Sequence, residues 1–152
     1  MDLTVNATVV EGYGAASGKK NDARYPSGTL AMQLPYFKDR GLDLSKFHRG
    51  TLNISIAPYR YEIRTPKHYF QKVTWTPHIP SENFYFFDAQ VHFREASFYG
   101  LIYMPDPKTK TEHEQSPSTL ELLLPKIDGI AYGHKVRLGV DTKQIEFKKS
   151  NP

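Results

Sequence analysis

Apolar and polar residues alternate with a period of two along most of this chain, and that pattern restricts the fold more than any other feature. Leu3, Val5, Ala7 and Val9 alternate with polar neighbours. Leu52, Ile54 and Ile56 share one face of a strand expected at 51–57, and Tyr59, Tyr61 and Ile63 alternate before Pro66. Further strands are expected at 29–34, 69–76, 84–93, 98–104, 119–124 and 135–140, with Ile145 and Phe147 on an edge strand. Successive side chains on a strand point to opposite faces, so each segment offers one apolar face for burial. Aromatic residues, 13% of the chain with ten Tyr and nine Phe, suit such half-buried pleated surfaces. Helical signal is confined to 35–41, with Pro35 in the first turn and Gly41 just past the end. Many short strands and few helices predict an all-β fold, a single small closed β-barrel with one or two short helices. Closure removes edge strands that so much aromatic β sequence would otherwise leave adhesive. The 152 residues carry no internal repeat and no linker, so one domain is expected over 1–152.

Composition narrows the chemistry. The absence of cysteine excludes a disulfide scaffold, a thiolate metal site and a Cys nucleophile. The six histidines show no tight ligand spacing, so no zinc site is expected. No apolar run approaches the ~20 residues that span a bilayer. The first residues lack the basic and apolar regions of an export signal, so a cytoplasmic setting without membrane is expected. Twenty Lys and Arg against sixteen Asp and Glu leave a charge of +4. That excess suits an anionic ligand such as a nucleotide and does not call for nucleic acid.

Three segments carry candidate chemistry. After the first strand come Gly12, Tyr13, Gly14, Ala15 and Lys19, with Lys20 and Arg24 beyond. Glycines let a backbone approach a phosphate closely, and successive amides form an anion-binding concavity. The same residues also suit a plain hairpin loop with solvated lysines. Thr51 and Asn53 lie two apart on a strand, on the face opposite Leu52 and Ile54. A hydroxyl and an amide oxygen there are hard donors suited to Mg²⁺, or simply the polar side of a strand. Glu121 shares its face with Thr119 and Leu123. A carboxylate partly desolvated beside Leu123 has a raised pKa and suits a proton acceptor; the alternative is an exposed residue on the barrel wall. Asp88, interrupting an aromatic run, is either a buried functional carboxylate or a hydrogen-bonding strand residue. His92 reads as a strand residue, and His113 lies in a polar loop. Tyr59-Arg60-Tyr61 interleaves aromatics with a base, as single-strand binders do, but equally fits core and surface alternation.

Taken in order, Gly12-Tyr13-Gly14, Leu34-Pro35-Tyr36, Gly50-Thr51-Leu52-Asn53, Phe98-Tyr99-Gly100, Pro105 and Leu120-Glu121-Leu122-Leu123-Leu124-Pro125 form a recognisable set. With it the chain resembles the archaeal CTP-dependent riboflavin kinases, over residues 5–140. The resemblance implies a cradle-loop barrel and transfer of a phosphoryl group from a nucleoside triphosphate, CTP favoured, to riboflavin or a similar small alcohol. It implies that Gly12 and Gly14, with Tyr13, Ala15 and Lys19, belong to the nucleotide-binding loop. It implies that Thr51 and Asn53 hold Mg²⁺ against the phosphates, and that Glu121 sits by the flavin or nucleotide as a catalytic residue. The chain differs from the family in the polar insert at 19–27 and in the short, glycine-bearing stretch at 126–133. The alternatives are a non-catalytic relative that binds nucleotide or flavin, and an oligonucleotide-binding barrel.

Overall fold

The computed structural model describes residues 1–11, 24, 28–110 and 116–149. In chain order its elements are β1 (Leu3–Val9), α1 (Thr29–Asp39), β2 (Leu52–Ser55), β3 (Tyr59–Ile63), β4 (His68–Val73), β5 (Glu82–Phe93), β6 (Ala96–Pro105), β7 (Thr119–Leu123), β8 (Lys135–Val140) and β9 (Ile145–Lys149). Antiparallel pairing runs β5–β6–β7–β2–β1–β8, and β8 returns to β5 to close a six-stranded barrel. The expected all-β barrel is therefore the observed fold.

Twelve-residue β5 makes closure possible. One of its edges carries β6 along nearly its whole length. The other is shared, with β4 on its first half and β8 at 89–92. Its odd-numbered Phe87, Ala89, Val91 and Phe93 point into the barrel with Ile54, Ile102, Leu120, Leu122, Leu138 and Val140. Its even-numbered Phe84 and Phe86 point outward into a second apolar cluster, with Phe37, Leu101, Tyr103 and Leu123. Burying side chains of this size contributes about 1.5–3 kcal/mol each, so both faces of the strand stabilise the fold. The antiparallel pair β3–β9 packs Tyr59, Tyr61, Ile63, Ile145 and Phe147 against the barrel interior. Because β3 follows β2 and β9 follows β8, this ribbon covers the end of the barrel where those two strands finish.

The helix corrects the sequence expectation. Residues 29–34 are not a strand: α1 begins at Thr29, and Pro35 lies inside it rather than in its first turn. Leu30, Met32 and Leu34 do alternate, but Leu30, Gln33 and Phe37 also recur at helical spacing, and these three are the buried residues. The outer aromatic cluster provides the surface for that stripe. Phe37 stands edge-on to Phe84 and Phe86, with centroids 5.0 and 5.2 Å away. That packing offsets the amide Pro35 cannot give to the Ala31 carbonyl. The end of the helix follows expectation. Gly41 takes a φ of +96°, its amide reaches the Lys38 carbonyl at 3.0 Å, and the Leu42 amide reaches that of Phe37 at 3.0 Å. This is the paired bonding of a Schellman motif, which needs a residue tolerant of positive φ.

Candidate functional site

Strand pairing assembles the site. In the β2–β7 register Asn53 lies opposite Glu121, and in the β6–β7 register Glu121 lies opposite Tyr103. The row continues through Phe86 on β5 to His68 on β4. All five occupy one face of the sheet, the outer one, because Leu120 and Leu122 on β7 take the barrel interior. Just ahead of β2, the Thr51 hydroxyl donates to Glu121 Oε1 at 3.0 Å. Thr51, Asn53 and Glu121, seventy residues apart in sequence at the extremes, are thus brought together.

Glu121 is half-buried, and burial pushes its carboxyl above the ordinary value, opposed by the charge of Lys110 and the Thr51 hydrogen bond. Its Oε2 has no hydrogen-bond partner among the described residues. The neighbouring Tyr103 is buried, and its phenol is driven well up by burial first, then by the charges of Glu121 and Glu82. The Tyr103 hydroxyl donates to Gln33 Oε1 at 2.6 Å, tying α1 to the row. Nearby, Trp75 Nε1 donates to Glu82 Oε2 at 2.9 Å, both side chains being buried. Gln33, Tyr103 and Lys110 were not apparent from sequence. Gln33 becomes visible only once 29–39 is read as a helix, whereas Lys110 carries no local signal at all.

Thr51 and Asn53 also line a cleft of about 480 Å³ at the barrel end opposite the β3–β9 ribbon. Val9, Leu122, Leu124, Ile127 and Ile130 form its apolar wall, and His48, Lys126 and Tyr132 add polar groups. Glu121 stands behind Thr51 and is not among the residues lining the cleft. The Val10 amide donates to the Asn53 carbonyl at 2.9 Å, so the chain leaves β1 toward the glycine segment at this cleft. Gly12, Tyr13, Gly14, Ala15 and Lys19 themselves lie outside the described residues, as does His113.

The donor set suits a hard cation. The Thr51 proton is committed to Glu121, which leaves the hydroxyl lone pairs available and the oxygen more electron-rich. An amide oxygen from Asn53 is a donor of the same hard class. Among the described residues no group of three or more His, Cys, Asp or Glu could hold a metal ion. A cation held by Thr51 and Asn53 would need further ligands such as water or substrate phosphates, which Mg²⁺ commonly takes.

The remaining candidates have structural partners. Lys67 Nζ donates to Asp88 Oδ1 at 3.0 Å, and Gln144 Nε2 donates to Oδ2 at 2.8 Å. The Asp88 amide donates back to Gln144 Oε1, which makes this carboxylate a clasp between β5 and the segment before β9. Tyr59 and Tyr61 pack against the barrel interior, leaving Arg60 exposed. No helix among the described residues is long and apolar enough to cross a membrane. No protein-family model matches the chain, and no curated protein does either.

Proposed function

We propose that the protein transfers a phosphoryl group from a nucleoside triphosphate, CTP in the first instance, to riboflavin or a similar small alcohol, giving FMN with riboflavin. The observation that carries this reading is that Thr51 and Asn53 line a largely apolar cleft while Glu121, outside its lining, accepts a hydrogen bond from the Thr51 hydroxyl and pairs across the strands with Asn53. Phosphoryl transfer asks a protein mainly for positioning and charge neutralisation. Thr51 and Asn53 supply oxygen ligands for Mg²⁺, which when bound neutralises phosphate charge. The apolar wall of Leu122, Leu124, Ile127 and Ile130 suits a flat, largely apolar ring system and excludes water from it. Glu121 holds Thr51 in place, and its raised pKa, with an Oε2 that has no partner among the described residues, suits acceptance of a proton from an alcohol. The resemblance to the archaeal CTP-dependent riboflavin kinases points the same way.

The test is incubation with riboflavin, Mg²⁺ and each of CTP, ATP, GTP and UTP, followed by separation of FMN. FMN that appears with a preferred nucleotide, and only with Mg²⁺, supports the reading. Nucleotide or flavin binding without FMN in any mixture points to a non-catalytic binding protein instead.

A further inference from the structure

A second concavity, of about 400 Å³, lies on the outer wall of the barrel. Strand register builds it. Asn6 on β1 pairs with Arg137 on β8, Arg137 with His92 on β5, and His92 with Ser97 on β6. Lys135 sits two residues before Arg137, on the same face of β8. Arg94 joins from the β5–β6 turn with a φ of +56°, a conformation that strains a residue with a side chain. Its guanidinium lies 4.8 Å over the Phe93 ring, and so close to Gly129 that a Cβ there would be 3.1 Å from a guanidinium nitrogen.

Three cations thus share one depression whose lining holds a single acid, Glu95. Among the described residues, none of Arg94, Lys135 and Arg137 forms an ion pair; the pairs present are Arg64–Glu146, Lys67–Asp88 and Lys148–Glu62. Lys135 Nζ donates to the neutral Thr8 hydroxyl at 2.8 Å, which spends one of its three protons. The His92 ring is oriented by a 2.8 Å hydrogen bond between Nδ1 and Ser97 Oγ, leaving Nε2 without a partner among the described residues. Like charges gathered on one sheet face repel, and an anion of two or three charges relieves that repulsion. The Arg137 guanidinium fork and the Lys135 ammonium, two residues apart on one strand face, suit the oxygens of a phosphate group, and Arg94 adds a third positive charge at the rim.

We propose that this outer-wall depression binds the phosphate of a small phosphorylated molecule, a phosphomonoester or diphosphate, through Arg94, Lys135 and Arg137. The site does not depend on phosphoryl transfer at Thr51 and Asn53. The experiment is calorimetric titration of the full chain with inorganic pyrophosphate at fixed ionic strength without Mg²⁺, with sulfate as the comparison anion. Saturable binding is expected, weakened about tenfold by Arg137→Ala and by Lys135→Ala, with Lys38→Ala unchanged. Both cations are exposed, so circular dichroism should be unaltered; Arg137→Gln serves if Arg137→Ala fails to fold. The proposal is overturned by the absence of saturable binding, by equal affinity in the Arg137 and Lys135 variants, or by a loss that follows Asn53→Ala instead. A single-stranded oligonucleotide that binds through these residues more tightly than pyrophosphate also overturns it, in favour of a nucleic-acid backbone surface.

Discussion

The Thr51 hydroxyl donates to Glu121 Oε1 at 3.0 Å across the β2–β7 seam, next to the cross-strand pair Asn53 and Glu121. One hydrogen bond therefore orients a metal-ligand candidate and satisfies one oxygen of a half-buried carboxylate. Thr51→Val keeps the β-branched shape and removes the donor. Leaving that oxygen unsatisfied should cost about 1–3 kcal/mol, read as a lower urea midpoint at an unchanged m-value. The Glu121 carboxyl should titrate higher in this variant, because a bond that lowers its pKa is gone. An unchanged midpoint would show that water replaces Thr51.

Glu121 should make stability depend on pH in a defined direction. Its pKa is raised in the folded protein, so the folded state holds the proton more tightly than the unfolded chain. The associated stability is fully present below the unfolded carboxyl range and is lost as pH rises through the folded value. Glu121→Gln removes that loss. The variant should match wild type near pH 4 and gain relative to it toward pH 7, measured by urea unfolding across the range. A relative gain that grows toward acid instead would contradict the burial argument. In the FMN assay the same variant should lose turnover, since an amide accepts no proton.

Tyr103 and Gln33 form a buried pair linking the sheet to α1. Tyr103→Phe strands the Gln33 carbonyl oxygen and should destabilise by about 1–3 kcal/mol, whereas Tyr103→Phe with Gln33→Leu should recover part of that loss. A double-mutant cycle measures the coupling. Faster amide exchange confined to α1 in the single variant would locate the effect at the helix.

Gly100 permits β6 to approach β7. A Cβ at this position would lie 2.0 Å from the Leu123 carbonyl oxygen and 2.9 Å from Leu124 Cδ2. Backbone cannot yield as a flexible side chain can, so Gly100→Ala should cost roughly 1–3 kcal/mol or more. At about 2–4 °C per kcal/mol for a chain of this size, thermal unfolding should register the change directly. Gly41→Ala is a useful contrast, because nothing lies within 4 Å of its Cβ and only the positive φ is strained. Its cost should be smaller, about 1 kcal/mol.

Asn53→Ala should weaken nucleotide binding about tenfold or more in the presence of Mg²⁺ and leave Mg²⁺-free binding nearly unchanged. The barrel should remain folded, because Ile54 and Ile56, both fully buried, carry the packing of this segment. If Mg²⁺ tightens nucleotide binding equally in variant and wild type, Asn53 is not a ligand.

Alternation by itself determined most of the strands and the inward face of each. Val136, Leu138 and Val140 had to face one way, as did Leu120 and Leu122, because side-chain direction on a strand follows from sequence position alone. The same rule put Thr51 and Asn53 on a common face, and Gly41 announced the helix end. Alternation does not say which strands pair or in what register, because those are set by how faces and edges fit together in space. Only the tertiary structure let β5 share an edge between β4 and β8, and only the β2–β7 register brought Glu121 beside Thr51. The segment from Thr29 to Leu34 fits both periods, and the outer aromatic surface of Phe84 and Phe86 decided for helix by burying Leu30, Gln33 and Phe37 together. Arg94, Lys135 and Arg137 read singly as solvated charge. Their meeting in one depression depends on the β5–β8 pairing, a contact between strands distant in sequence.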